Sequence, residues 1–360
     1  MPRGKRKTVT STDVARLAGV SPASVTRVFN PNWSMNIRPD IRERVIAAAK
    51  ELNYTPNAFA RMLAGNKTNL VAIVLGPTTG PYYSQTLLRF IYKLQQRGKQ
   101  VLPFSMEGGV DYKTLIERIK PFKVDAIIVT SAAYAGVFEM EVKDIPVILL
   151  ELMVNGSSAH SVCSDSYAGG KCVADMLVEN GHKKIAFISG NGEINQDYDR
   201  EYGFVNRMHD YGLKVWRTEM ATYARYASGC AATRRLMLGH EYPDAIFCGD
   251  DVLAMAAMDT LRNEYGISVP DDISIVGFHN INEAALPPYS LTTMHSPMDD
   301  MVDAVIDIID KLDQLEALVT AVLPMKPIIR NSMRITSEKY VQMQRQCMEF
   351  SSEHGILKTF

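Results

Sequence analysis

The chain has little cysteine, and none of it is paired in the sequence. The five cysteines are Cys163, Cys172, Cys230, Cys248 and Cys347, without a C-x-x-C motif. This spacing excludes a disulfide framework and a cysteine zinc site, and it favours a reducing compartment. No apolar run reaches the roughly 18 residues that a membrane-spanning helix needs. The basic start MPRGKRK is not followed by the apolar core of a signal peptide. We therefore expect a cytoplasmic chain without a cofactor or a metal.

Net charge is also nearly absent, at −1 over 360 residues, but it is unevenly distributed. Residues 1–67 hold twelve Lys and Arg against four Asp and Glu, whereas the remainder holds twenty-seven against thirty-six. A basic head on an acidic body is typical of a chain whose first segment contacts a polyanion. The length and the 46% apolar content are sufficient for two or three domains.

Residues 10–30, TSTDVARLAGVSPASVTRVFN, contain two short helical patterns around one glycine. Val14, Leu17 and Ala18 are spaced to share one helix face. Gly19 can end that helix, because glycine tolerates a positive φ. Two short helices around such a turn predict a helix-turn-helix unit, with an ordinary small helical bundle as the alternative.

The second helix and its support also have clear signals. Ser21 suits an N-cap, and Pro22 suits the first helical position, where no N–H partner is needed. Apolar residues spaced along 41–52 predict a third helix that closes the core. The following segment YTPNAFARMLAGNKT offers a single helix of about eight residues, which would be marginal in isolation. It is either a hinge helix that forms on docking or a linker.

From Leu70 onward, short apolar runs alternate with helical patterns. The runs include LVAIVLG and IPVILLE before residue 160, and KIAFISG and ISIVGF after it. Apolar strands between helices predict parallel sheets covered on both faces. Two such series predict two doubly wound α/β subdomains with a ligand cleft between them at the strand C-termini.

Enzyme motifs are weak in this chain. ISGNG supplies only G-x-G, since Asn195 stands where a third glycine is required. Asp250 and Asp251 are adjacent at a strand end and are expected to point apart, which favours binding or capping over catalysis. His182 at a helix end is interpreted as a surface histidine. We expect no enzymatic activity.

Residues 9–65 resemble the headpiece of the LacI/GalR family of bacterial transcriptional regulators, through VTSTDVARLAGVSPASVTRVFN and RERVIAAAKELNYTPNAFARMLAG. The resemblance continues to about residue 334 and implies a periplasmic-binding-protein-like body. The implied parts are a helix-turn-helix DNA-binding domain over 1–54, a hinge helix and linker over 55–68, a ligand-binding and dimerisation body over 69–337, and a C-terminal extension over 338–360. The implied crossings between the two lobes lie near 161–165, 292–297 and 322–328. The extension is either an extra surface helix or a flexible tail.

The resemblance implies how the head contacts DNA. Pro22, Ala23 and Arg27 are placed to face the major groove, and Arg27 is best able to pair bidentately with guanine. Leu63 is placed to enter a minor-groove step, with Ala60 beside it. The full implied set is Thr10, Ser21, Pro22, Ala23, Ser24, Arg27, Asn30, Asn57, Ala60, Arg61 and Leu63. The loop before the third helix is about two residues longer than usual, and Arg38 stands where a serine N-cap is common.

The resemblance also implies an effector site in the cleft. Arg200, in the R-x-x-G-F motif of DREYGF, is the expected cationic donor, with a surface salt bridge as the alternative. His279 stands where the family commonly has Asp, which adds a titratable cation and favours a sugar acid over a neutral sugar. Tyr82 and Tyr83 either stack on a sugar face or pack in the core. The full implied set is Tyr82, Tyr83, Glu151, Arg200, Asp250, His279 and Ser296.

The resemblance thus implies a ligand-responsive, sequence-specific DNA-binding regulator, most simply a repressor of genes for uptake or catabolism of a sugar or sugar derivative. The expected partners are palindromic operator DNA, a sugar or sugar-acid effector, and a second copy in a homodimer. A dimer of dimers stays open, as does the alternative of a small-molecule binding protein without DNA regulation. The bound protein is expected at the nucleoid.

Overall fold

The computed structural model divides the chain into two units, Met1–Asn69 and Leu70–Phe360. It describes residues 9–29, 37–55, 68–76, 80–106, 110–130, 145–153, 158–190, 195–222, 225–335, 338 and 357–359, with the backbone alone at 195–198 and 357–359. Within these residues, no helix is long and apolar enough to cross a membrane.

The first unit contains the expected three helices, α1 (Ser11–Ala18), α2 (Pro22–Val28) and α3 (Pro39–Glu51). Their shared core consists of Val14, Ala15, Ala18, Val25, Val28, Val45, Ala48 and Ala49. Leu17 was expected in this core but is 46% exposed. Ala15 is buried instead, because the contact face of α1 is turned by one residue from the predicted one. The small side chains let the short helices approach closely.

Local side-chain bonds set the helix bounds in this unit. Thr10 and Asp13 form a capping box at the start of α1, and Gly19 ends that helix at a φ of 63°. Ser21 caps α2 by accepting a bond from the Ser24 N–H at 3.2 Å. Arg38 precedes α3 without capping it, and its guanidinium instead donates two bonds to Asp40, at 3.0 and 3.1 Å.

The second unit alternates strands with helices as predicted. The helices are α4 (Pro81–Gln96), α5 (Tyr112–Ile119), α6 (Ser166–Glu179), α7 (Asn195–Asp210), α8 (Tyr226–Leu236), α9 (Asp251–Tyr265) and α10 (Met298–Lys311). The strands are β1 (Leu70–Leu75), β2 (Gln100–Ser105), β3 (Ala126–Thr130), β4 (Val147–Leu150), β5 (His160–Ser164), β6 (Ile185–Ser189), β7 (Arg217–Met220), β8 (Ala245–Cys248), β9 (Ser274–His279), β10 (Thr292–His295), β11 (Val319–Leu323), β12 (Lys326–Ile328) and β13 (Leu357–Thr359). Short 3-10 turns lie at 120–122, 282–285 and 312–314.

The strands form two sheets, one in each lobe of the second unit. The first-lobe sheet has the order β13-β11-β5-β4-β3-β1-β2, and the second-lobe sheet has the order β12-β10-β9-β8-β6-β7. All pairings are parallel except β11 with β13 and β10 with β12. The central strands are buried on both faces, as their apolar sequences require. The predicted fold of two doubly wound sheets is confirmed.

The chain passes between the lobes three times, at the ends of β5, β10 and β11. After β5 it enters the second lobe through α6, and after β10 it returns through α10. The third passage is short, because β11 ends at Leu323 and β12 begins at Lys326. Three parallel passages between two rigid sheets are the arrangement of a hinged cleft.

The C-terminal extension supplies an edge strand to the first lobe. Leu357–Thr359 pairs antiparallel with β11, with Leu357 opposite Ala321. These three residues therefore form a strand, whereas the sequence predicted either a helix or a flexible tail. The helical pattern expected from 338 onward lies outside the described residues, apart from Glu338.

Candidate functional site

The outer face of α2 carries the candidate DNA-reading side chains. Pro22, Ala23 and Arg27 are exposed, and Ser24 is half-buried. The apolar face of the same helix is fixed by Val25 and Val28, which are 0% and 6% exposed. A helix anchored in this way presents its exposed arginine on a defined outer face, which suits base-edge recognition.

The remaining candidate DNA contacts fall into two groups. The hydroxyls of Thr10 and Ser21 bond Asp13 and Ser24 at 2.7 and 3.0 Å, so both already serve the helix starts. Asn30, Asn57, Ala60, Arg61 and Leu63 lie outside the described residues.

Tyr82 lies at the centre of the cleft between the two lobes. It belongs to the first turn of α4, and its side chain is 3% exposed. Its ring stacks on the ring of His279, the last residue of β9 in the other lobe, at 4.3 Å between centroids and 21° between planes. Tyr83 is equally buried and packs edge-on against Tyr82 at 5.2 Å. The cleft therefore contains Tyr82, whereas Tyr83 supports it from the core.

Glu151 forms the acidic part of the cleft directly after β4. Its carboxylate accepts bonds from the Tyr82 hydroxyl and from Ser296 Oγ, the latter at 3.3 Å. The backbone N–H and the hydroxyl of Ser164 bond its Oε2 at 3.0 and 2.9 Å. Ser164 was not predicted as a site residue, and its position at the end of β5 was the available signal. These donors hold a buried carboxylate that would otherwise be costly to bury.

Arg200 lies inside the second lobe and is 2% exposed, so the surface salt bridge is wrong. Its Nη1 donates to the carbonyl of Gly249. Its Nη2 lies 3.4 Å from His279 Nε2. The guanidinium carbon lies 4.5 Å from the centroid of the Phe278 ring, within the range of a cation–π contact. Arg200 therefore presents a rigid, oriented cation beside His279.

The surroundings of His279 favour the neutral imidazole. It is 4% exposed, and burial and the Arg200 cation keep its pKa well below the usual value near 6.5. Burial and Arg200 therefore disfavour the positive charge that the sequence suggested for His279. A neutral ring whose Nε2 faces the Arg200 guanidinium accepts that bond and keeps its proton on Nδ1.

Asp250 and Asp251 point apart, as expected for neighbours at a strand end. Asp250 caps α9 by accepting the Leu253 N–H at 2.8 Å, and it borders a small recess shared with Tyr82 and His279. Asp251 turns inward and accepts the Ile281 N–H at 2.8 Å and the Thr293 hydroxyl at 2.6 Å. Burial is the largest influence on Asp251 and raises its pKa to about 7.

The Asp251 bonds fix the loop that carries His279. His279 and the next residue, Asn280, have positive φ values of 101° and 58°. Asp251 bonds Ile281, the residue after this strained stretch, and Thr293 on the neighbouring strand. The Thr293 hydroxyl also accepts the Asn280 N–H at 3.3 Å. Asp251 thus acts on the cleft through the loop.

Two glycines that sequence reasoning did not single out bring α6 and α7 into backbone contact. A Cβ on Gly170 would meet the Arg200 carbonyl oxygen at 2.0 Å, and one on Gly203 would meet the Tyr167 carbonyl at 2.0 Å. Gly203 is the glycine of the R-x-x-G-F motif, so the motif encodes close helix packing as well as the cation.

His182, expected at the surface, is 2% exposed and lies 3.5 Å from Asp244.

Comparison with known proteins agrees with this architecture. Residues 10–57 match the model of bacterial regulatory proteins of the lacI family, and residues 174–333 match a periplasmic binding protein-like domain. The HTH-type transcriptional repressor PurR of Serratia proteamaculans (strain 568) is 28% identical over 295 residues, which cover 80% of this chain and 85% of that protein. The chain is therefore similar to the lacI family of bacterial regulatory proteins in its head and to periplasmic binding protein-like domains in its body.

Solved structures extend the similarity over most of the length of the chain. The complex of the transcriptional regulator CelR with cellobiose is 27% identical, with a TM-score of 0.65, and covers 90% of this chain and 99% of that one. The lac repressor dimer bound to operator and an anti-inducer has a TM-score of 0.80 over 91% of this chain and 100% of that chain. At 24% identity, that second likeness concerns the fold.

Proposed function

We propose that this chain is a dimeric transcriptional repressor whose affinity for a palindromic operator is set by a sugar or sugar derivative bound between the two lobes. The observation that carries the proposal is the convergence of Tyr82, Glu151 and Ser296 with Arg200 and His279 at one cleft. Two lobes that meet through such contacts can pass a ligand signal to a DNA-binding head by closing or opening.

The chemistry of the cleft favours a ligand rich in hydroxyl groups. Glu151 and Ser296 can accept hydrogen bonds from hydroxyl groups, and Arg200 can donate them. The flat face of His279 suits the C–H face of a sugar ring. With His279 neutral, the only cation among these five residues is Arg200. Glu151 opposes a carboxylate, so a neutral sugar fits this end of the cleft better than a sugar acid does. The CelR complex with cellobiose is consistent with this class.

The reading of DNA is assigned to α2, with Arg27 as the base-contacting residue. A homodimer places two such helices in successive major grooves, which requires an operator with two-fold symmetry. The lac repressor binds its operator as a dimer. Leu63 and Ala60 are assigned to the minor groove at the centre of that operator.

A surface of α4 suits the contact between the two copies. Leu88 and Tyr92 lie one turn apart on this helix and are 65% and 63% exposed. In the second lobe, Leu286 is 48% exposed. A hydrogen bond also joins the two lobes, from the Gln85 amide on α4 to Glu283 at 3.1 Å. Exposed apolar residues that span both lobes favour a protein contact, which could sense the closure of the lobes.

The test begins with a thermal-shift screen of neutral sugars and their matching sugar acids on the full chain, followed by calorimetry on each hit. Arg200→Ala should lose at least ten-fold in affinity for the hit, because a buried charge-assisted donor is removed. Arg234→Ala, which removes an exposed arginine paired with Glu264, is the matched control. Affinity for DNA without the sugar should persist in both variants.

Two outcomes would separate the candidate functions. Unchanged sugar affinity in Arg200→Ala would remove Arg200 from the site. Tight sugar binding with no sequence-specific DNA binding would favour the second candidate, a small-molecule binding protein without DNA regulation. The basic charge of residues 1–67 and the exposed Arg27 argue against that second candidate.

A further inference from the structure

The phenol ring of Tyr82 makes the contacts that a bound ring compound would make in this cleft. One face lies against the imidazole of His279 at a centroid separation of 4.3 Å. The hydroxyl donates to Glu151 and lies 2.8 Å from Ser296 Oγ. The flat face of the phenol contacts His279 of the second lobe, and its hydroxyl contacts Glu151 of the first lobe as well as Ser296.

The site around the hydroxyl is built rather than incidental. Ser164 orients the Glu151 carboxylate with two bonds, and Ser296 reaches the same carboxylate at 3.3 Å. Burial and the neighbouring Glu151 raise the pKa of Tyr82 well above its usual value, so the phenol keeps its proton and donates it. A charged acceptor, a hydroxyl and a stacking ring thus surround one side chain.

We infer that Tyr82 is a tethered occupant of the effector cleft: its phenol fills a subsite for a hydroxylated ring, and an effector binds there by displacing it. This inference rests on the proposed assignment of the cleft as the effector site. It also specifies which part of the ligand enters the subsite. That end must be a ring with a hydroxyl donor for Glu151 and a face for His279.

The physical reason for this requirement is desolvation. Once the phenol leaves, Glu151 Oε1 loses its closest donor and keeps the longer bond from Ser296, while Ser164 still bonds Oε2. A buried carboxylate oxygen that loses a hydrogen bond is costly. A ring without a hydroxyl would leave Glu151 in that state, and a ring with a carboxylate would add a repelling charge. Tyr82 therefore sets both the specificity of the cleft and the concentration at which an effector can enter.

The experiment removes the tether and supplies the phenol separately. Tyr82→Ala leaves a cavity of the size of phenol, and cavities of this kind bind small rings. Thermal midpoints of the full-length wild type and of Tyr82→Ala are measured with phenol and with benzene. At about ten times its Kd, phenol should raise the midpoint of Tyr82→Ala by about 2–4 °C. It should bind that variant at least about ten-fold more tightly than benzene does, because only phenol donates to Glu151.

The matched control is Phe90→Ala on the same helix. Phe90 is 1% exposed within an apolar cluster, so its removal makes a cavity of similar size without a carboxylate. In this variant benzene should bind at least as well as phenol. Wild type should show neither shift.

Three results would overturn the inference: equal stabilisation of wild type and Tyr82→Ala by phenol, equal affinity of Tyr82→Ala for phenol and benzene, or no binding of either. If Tyr82→Ala does not fold alone, refolding is followed by circular dichroism. Recovery with phenol and not with benzene supports the inference, and no recovery overturns it. None of these results depends on DNA or on a sugar. A failed phenol test therefore leaves the proposed function standing, and a failed DNA or sugar test leaves the phenol result standing.

Discussion

Arg27 illustrates how a single residue can be both exposed and well positioned. Its own side chain faces outward, while Val25 and Val28 on either side of it bury the opposite face of α2. The Ser21 cap fixes where that helix begins. The backbone position of Arg27 is therefore set by the core of the head and by a cap, and both are encoded within a few residues.

Arg27→Ala should weaken binding to the preferred operator by about 1–3 kcal/mol and relax the preference at one position in each half-site. The loss comes from the bidentate pair with a base, which random DNA does not offer. The measurement is a selection of operator sequences, followed by titration of operator and random DNA. Arg16→Ala on α1 removes an exposed charge from the same head and is the control. A loss in Arg27→Ala that is equal on both DNAs would contradict the assigned role.

His279 should make the stability of the body fall on acidification. Its folded pKa lies below the usual value near 6.5, so below that pH the unfolded chain binds a proton that the folded chain does not. Stability is therefore lost as the pH falls from about 6.5 toward the folded pKa. Asp251, with a pKa raised to about 7, acts in the opposite direction, because its folded form holds a proton more readily.

The measurement compares thermal midpoints at pH 7.5 and pH 5.5 for wild type and His279→Gln. The variant should lose less stability on acidification, because glutamine does not titrate. His160 and His295 also have lowered pKa values and contribute equally to both proteins, as does Asp251. The same pH dependence in both proteins would show that His279 is not held neutral.

The candidate residues differ in how far the sequence could predict them. Arg200 is part of a local motif, and Asp250 follows the end of a strand. The positions of both therefore follow from neighbouring residues. The stacking of Tyr82 on His279 depends on how the two lobes meet, and no local pattern encodes that distance. The lowered pKa of His279 was not predicted either, because its causes, burial and the nearby Arg200 cation, arise only in the folded structure.

At the scale of elements, α6 and α7 form the closest helix pair around the cleft. Gly170 faces the Arg200 carbonyl, and Gly203 faces the Tyr167 carbonyl, so each helix supplies one glycine to the crossing. Backbones can approach this closely only where no Cβ intervenes. The sequence patterns predicted both helices but not their separation. The edge strand β13 was not predicted because three residues form a strand only by pairing with another.

Gly170→Ala should move α7 outward and displace Arg200 from the cleft. The added methyl would lie 2.0 Å from a backbone oxygen, which cannot rotate away. Overpacking of this kind costs about 1–3 kcal/mol. We expect a lower thermal midpoint together with weaker binding of the sugar found in the screen. Lys171→Ala, the neighbouring residue on the same helix, is the control. If Gly170→Ala kept wild-type stability and affinity, the backbones of α6 and α7 would be farther apart than the structure shows.

At the scale of the whole molecule, the charge is divided between the two units. The first 67 residues have an excess of eight basic over acidic side chains, and the rest have an excess of nine acidic ones. The acidic body disfavours its own contact with DNA, so binding is confined to the head. An effector can then change operator affinity only through its unequal affinity for two states of the body, typically by about 1–3 kcal/mol.

Operator binding should therefore depend strongly on salt, and effector binding should depend on it weakly. If a dimer makes roughly 6–10 phosphate contacts, operator affinity should fall about 10³–10⁵-fold between 50 and 200 mM salt, because each contact releases a counterion. The cleft residues are buried, so their contacts with a neutral sugar are little screened over the same range. Both affinities are measured on one preparation by titration at four salt concentrations. A flat operator titration would remove the basic head as the DNA-binding unit. An equally steep sugar titration would place the sugar at a charged surface and not in the cleft.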